Sequence, residues 1–262
     1  MARSRFIRLA LLVWTLLLGI GGAWAATCNP FVAANPIRLA SAETPQGAVE
    51  LTFLGHASFL ITSPDGVTIV TDYNGYIKPD FLPDIVTMNH AHRTHYTDTP
   101  EPGIKYVLRG WDAGEGPPSY DFRLRDVRIR NVLTNIRDWG GGTEYGGNSI
   151  FVFETGDLCI AHLSHLHHTL APEHLAALGQ VDVLLAPADG MFTLSQTDMI
   201  AVIEQIHPLL VIPMHFFGPA ALDRFIARMN GRYPLTRSDS KTVALSRAML
   251  PKATEILVLP GY

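Results

Sequence analysis

From residue 48 onward, short apolar runs alternate with polar breaks that carry Gly, Pro, Asn or Asp, which is the pattern of strands rather than of helices. The runs predict strands at 49–54, 58–62, 67–71, 84–88, 105–108, 127–132, 149–154 and 158–162, then at 181–186, 209–213, 243–246 and 255–259. Pro64-Asp65-Gly66 supplies a turn between the second and third of these. Helical spacing appears only late, at 172–178, 196–206 and 219–229. In the middle one Met199, Ile200, Ile203 and Ile206 share a face, and Pro208 ends it. Strands throughout with a few late helices predict two sheets with helices packed outside, their strand ends meeting at a rim where loops carry a site.

The chain before this pattern reads differently. Arg3, Arg5 and Arg8 precede an apolar run from Leu9 to Ile20 and then Ala23-Trp24-Ala25, the arrangement of a cleaved secretory signal peptide over residues 1–25. The run is short for a membrane span, so no stable membrane insertion is expected after cleavage. Residues 26–47, rich in Ala, Pro, Asn and Ser, read as a mobile lead-in to a single domain at 48–262. The expected compartment is therefore the periplasm. Removing residues 1–25 moves the formal charge from −4 to −7, a poor balance for non-specific nucleic-acid binding. Cys28 and Cys159 are the only cysteines. An oxidising compartment permits a bond between them, although Cys159 also fits as a small core residue of its strand.

The chemistry lies where apolar runs end. Asn89-His90-Ala91-His92-Arg93-Thr94-His95 follows the run at 84–88, and histidines two apart on extended backbone point to one side. His162-Leu163-Ser164-His165-Leu166-His167-His168 follows the run at 158–162. Of its histidines, His165 stands where a rim ligand would project, His162 suits a satisfied core position, and His167 and His168 are expected on the solvent side. Val211-Ile212-Pro213-Met214-His215 ends a third run in one histidine. Neutral imidazole is a common metal ligand, and three such clusters at strand ends point to a metal centre. His56, also at a strand end, reads as a hydrogen-bonded structural residue or as a group facing substrate.

These segments resemble the metallo-β-lactamase-fold hydrolases, in particular the branch of ascorbate-6-phosphate lactonase and related small metal-dependent hydrolases, over residues 49–217. Phe53-Leu54-Gly55-His56-Ala57-Ser58-Phe59 is similar to that branch's opening strand. His90 to His95 is similar to the family's His-x-His-x-Asp-His motif, and Ile212-Pro213-Met214-His215 to its closing segment. The resemblance implies an αβ/βα four-layer sandwich of the α/β class, with two mixed β-sheets and outer helices. It implies metal ligands among His90, His92, His95, His165 and His215, with Asp72 orienting a ligand. Three positions depart from the family pattern. Thr94 stands in place of Asp, His165 in place of the bridging Asp, and Arg137 near the place of an isolated histidine.

One imidazole has one lone pair to offer, so His165 disfavours a bridged pair of ions. The expectation is therefore one zinc per chain, iron or manganese being alternatives, with His95, His165 and His215 as the preferred shell. The implied activity is hydrolysis of a small-molecule ester, lactone, amide or phosphoester by a metal-activated water. Arg137 would stabilise developing charge, and His92 or His90, if not a ligand, would act as base. The alternative is a degenerate relative that binds metal or ligand without turnover.

Overall fold

A computed structural model describes residue 28, residues 47–138 and residues 140–261. The expected leader and almost all of the expected lead-in lie outside the described residues.

Two mixed sheets face each other across a single apolar core. The first has six strands, β1 (Val49–Gly55), β2 (Ser58–Thr62), β3 (Thr68–Val70), β4 (Ile85–Met88), β5 (Tyr106–Arg109) and β13 (Thr242–Leu245), in the order β13-β1-β2-β3-β4-β5. Strands β3, β4 and β5 run parallel, while β1 pairs antiparallel with both β2 and β13. The second sheet has eight strands in the order β12-β14-β11-β10-β9-β8-β7-β6. These are β6 (Asp121–Leu124), β7 (Val127–Arg137), β8 (Thr143–Thr155), β9 (Leu158–His162), β10 (Val183–Pro187), β11 (Leu210–Met214), β12 (Leu235–Arg237) and β14 (Glu255–Val258). From β9 to β12 this sheet is parallel, and its other half is an antiparallel meander.

Alternation along the strands produces the core. In β1, Val49, Leu51 and Phe53 point inward, and they meet Ile129, Phe151 and Phe153 of the β7–β8 hairpin in one cluster. β4 is buried on both faces: Ile85 joins that cluster, while Val86 and Met88 pack outward against Tyr96, Ile104 and Trp111. Loop side chains thus cover this outer face of the six-stranded sheet.

The three helices, α1 (Pro172–Leu178), α2 (Gln196–Ile206) and α3 (Pro219–Met229), fall where periodicity predicts them. Ser195 caps α2 by accepting the Asp198 N–H, and Met199, Ile200, Val202 and Ile203 are buried on its inner face. Arg130 on β7 donates to the carbonyls of Ala177 and Leu178 at the end of α1 and pairs with buried Glu154 of β8. A polar residue inside a strand thereby holds a helix onto the sheet.

Cys28 and Cys159 are joined by a disulfide. The bond pins the one described residue before position 47 to β9, and the Cys28 carbonyl accepts the Gln180 N–H.

Candidate metal centre

Every side chain of the centre lies just beyond the carboxyl end of a strand. His56 follows β1, Asp72 follows β3, His90 to His95 follow β4, Ser164 to His167 follow β9, Asp189 follows β10 and His215 follows β11. β3 and β4 are parallel, as are β9, β10 and β11, so these ends converge on one rim between the sheets. His56, Asp72, Ser164 and His215 all have positive φ, four of the six non-glycine residues that do among the described residues. Such backbone costs about 1–3 kcal/mol per residue and persists where the surroundings enforce it. Here the enforcement is visible, because the His215 N–H donates to the His56 carbonyl at 2.7 Å.

Two buried carboxylates decide which nitrogen each central imidazole offers. His95 donates from Nδ1 to Asp72 at 2.7 Å, and His215 donates from Nδ1 to Asp189 at 3.0 Å. Asp72 also accepts from the Ser164 hydroxyl and the Asn89 N–H, and Asp189 from the N–H groups of Met191 and Phe192. With Nδ1 protonated, each ring carries its lone pair on Nε2. Those two Nε2 atoms lie 3.2 Å apart, and His165 Nδ1 lies 3.2 Å from His215 Nε2. Two ligand nitrogens at ordinary bond lengths on a tetrahedral zinc would be about 3.3 Å apart. Burial, then the neighbouring imidazoles, hold His95 well below its ordinary pKa, so its own Nε2 keeps the lone pair. A cation between the facing nitrogens would be held at this spacing, and the residues fit one.

His56 completes the group. Its Nε2 is buried without a hydrogen-bond partner, and the ligating nitrogens of His56, His95 and His215 lie within 4.8 Å of one another. Its ring centroid is 4.3 Å from that of His215. Burial, then the nearness of the His215 imidazole, pushes His56 down to about 3, so it is neutral and able to ligate. His56 thus stands among the ligating nitrogens, closer in than a role facing substrate requires.

The other sequence candidates surround this group. His90 donates from Nδ1 to the Gly147 carbonyl at 2.7 Å, and its ring stacks on His165 at 5.0 Å. His92 is exposed on the rim, its Nδ1 3.0 Å from the Thr94 hydroxyl. His162 is consumed structurally: Asn89 contacts its Nδ1, and its Nε2 meets the Ala57 carbonyl across the sheets. The Arg137 side chain is exposed, but its backbone N–H donates to His167 Nδ1 at 2.9 Å.

That bond corrects the expectation for His167. The ring does not face solvent but is half-buried, 4.7 Å from His165, and its Nε2 is buried without a partner. Since Nδ1 accepts, Nε2 carries the proton, so His167 presents an N–H rather than a lone pair. His168 Nε2 accepts the Asn135 N–H beside it. The isolated histidine at position 56 lies in the segment that resembles the family's opening strand, but nothing in the sequence marked it as a ligand. The role of His167 depends on the long β7–β8 hairpin folding beside it.

Residues 50–215 match the family described as the Beta-lactamase superfamily domain. A protein of Pyrococcus abyssi is 26% identical over 70% of this chain and 92% of its own length. A UPF0173 metal-dependent hydrolase of Carboxydothermus hydrogenoformans is 26% identical over 64% of this chain and 84% of its own. Among solved structures, a Thermotoga maritima protein described as a Zn-dependent hydrolase of the metallo-β-lactamase superfamily superposes with a TM-score of 0.59. It is 26% identical and covers 80% of this chain and 98% of that one. A metallo hydrolase from Ignicoccus hospitalis shares the fold, with a TM-score of 0.53 at 18% identity over 76% of this chain and 99% of that one.

Proposed function

The chain belongs to the beta-lactamase superfamily domain family, and from that membership we propose that it is a metal-dependent hydrolase of a small substrate, working in the periplasm with one zinc ion. The observation that carries the reading is the pair of carboxylate-fixed imidazoles, His95 and His215, whose lone pairs face each other at 3.2 Å. His95 and His215 hold the ion, with His56 and His165 as the further nitrogens around it. A zinc held there supplies Lewis acidity at a carbonyl or phosphoryl centre and lowers the pKa of a water.

The rest falls to the chain's own residues. Asp72 and Asp189 keep the ligand rings in orientation and in the right tautomer. His90 fixes its proton on the Gly147 carbonyl and keeps an Nε2 lone pair free to accept a proton near His165. His167 offers a neutral N–H to negative charge developing on the substrate, with the Arg137 guanidinium on the rim beyond it. His92, oriented by Thr94, stands at the mouth as a second proton acceptor.

Charge supports a single ion. Burial lowers His56, His90, His95 and His165 toward the neutral form, and the carboxylates of Asp72 and Asp189 would together offset one dication. Thr94, in place of the carboxylate of the family pattern, serves here to orient His92. The disulfide between Cys28 and Cys159 supports an oxidising compartment. The test is hydrolysis of a panel of esters, lactones, amides and phosphoesters by the zinc-loaded protein. Turnover should vanish on chelation, return with zinc, and be absent in His95→Ala. Turnover that survives complete metal removal would overturn the reading. Tight zinc binding with no turnover across the panel would favour the non-catalytic alternative.

A further inference from the structure

Beside the metal centre lies a cleft of about 360 Å³ bounded by Asp189, Met191, Phe192, Phe217, the start of α3 from Gly218 to Ala221, and Arg224. Its wall is apolar and exposed: Met191, Phe192 and Phe217 are 70%, 49% and 60% accessible, an unusual clustering of large apolar groups at a rim. The chain alternates here, with Phe216 buried in the core and Phe217 turned out. The Phe217 ring lies 4.9 Å from His56 and 5.6 Å from His215, and Phe192 meets its far side edge-on at 5.4 Å. A continuous apolar surface therefore begins at the ligand histidines and leads away from them.

Asp189 couples the two features. One oxygen accepts from His215, and the other accepts the N–H groups of Met191 and Phe192 at 2.8 and 2.6 Å. The same carboxylate that orients a ligand ring thus folds the loop that carries the wall. Among the described residues Arg224 on α3 is the only cation lining the cleft, and it makes no ion pair or hydrogen bond with them.

We propose that this cleft is the substrate site and that it selects an amphiphile: an apolar acyl or aryl body laid along Phe217, Phe192 and Met191, with an anionic group met by Arg224. The volume suits the body of a small ligand, and a mostly apolar wall with one convergent polar group is how such sites set orientation. The inference rests on the hydrolase reading for the identity of the scissile end, but not for the binding of the body.

The test is calorimetric titration with acetate, octanoate and octanol, on the zinc-loaded protein and again after chelation. Burial of each methylene tightens binding about fourfold. Octanoate should therefore bind at least about 100-fold more tightly than acetate in both forms. Phe192→Ala and Phe217→Ala should each reduce octanoate affinity about tenfold, by different residues of one wall. Arg224→Gln should weaken octanoate and leave octanol unchanged. Retention of the octanoate-to-acetate ratio in protein that fails to bind zinc would support the cleft while refuting the metal reading. Equal affinity for octanoate and acetate, in protein with normal zinc content, would overturn the inference and leave the metal centre standing.

Discussion

At the scale of single residues, the proposed centre rests on His95 and His215, each of which has Nδ1 committed to a carboxylate before any ion arrives. Replacing Asp189 by Asn removes the negative charge that holds the His215 Nδ1 proton, and zinc affinity should fall about 10- to 100-fold by competition with a chromophoric chelator. Alanine at His95 or His215 should abolish tight binding, whereas alanine at His56 or at His165 should weaken it. Equal loss at all four would mean that all four ligate. Acidity acts through the same residues. His56 is depressed to about 3, below its ordinary value of 6.5, so the unfolded chain takes up this proton first as pH falls. Its contribution is complete above about pH 6.5 and shrinks by about 1.4 kcal/mol per pH unit from there toward pH 3. Zinc should be released over the upper part of that window, below roughly pH 6, because protonated rings cannot ligate. Retention of zinc and an unchanged midpoint of unfolding at pH 4 would contradict this. His90, His92, His95, His165 and His215 stood out in the sequence because they lie at the ends of apolar runs, and of these the structure brings His95, His165 and His215 ring to ring. His56 and His167 did not stand out, because a lone strand-end histidine looks the same whether it ligates or merely bonds. Which of His167 and His168 turns toward the centre is decided by backbone N–H groups of β7, thirty and more residues away.

At the scale of elements, the β7–β8 hairpin does most to shape the rim. Its strands pair from Val127↔Thr155 to Arg137↔Thr143, well past the apolar stretches that periodicity detects. The extension escaped notice because Thr143-Glu144-Tyr145-Gly146-Gly147 has the composition of a turn. Its pairing comes from β7 and not from its own propensity. β6 and β12 were missed for a related reason: each is a short, largely polar strand at an edge of its sheet. The remaining strands and all three helices were legible from their apolar spacing, although α1 buries only Leu178, β5 only Leu108 and β13 only Leu245. Cys28–Cys159 closes a span of 131 residues onto β9, the strand that leads into His165. Reduction, or Cys159→Ser, should lower unfolding stability by about 2–4 kcal/mol in a denaturant titration. A change below about 0.5 kcal/mol would show that pairing within the sheet already holds the strand without the tether.

At the scale of the whole molecule, two sheets with parallel segments bring the carboxyl ends of β3 and β4 against those of β9, β10 and β11. No one element holds the centre. Chain segments from His56 to His215 meet only after both sheets have formed, so ion binding and folding are coupled, and zinc should raise the unfolding temperature in proportion to its affinity. The proposal of a single ion rests on Asp72 and Asp189, whose two carboxylate charges would match one dication. Elemental analysis of protein purified without added metal, set against protein concentration and repeated on His95→Ala, addresses that directly. One equivalent of zinc per chain is expected in the natural protein and none in the variant. Two equivalents at full occupancy, or one equivalent retained by His95→Ala, would contradict a single-ion centre built on His95 and His215.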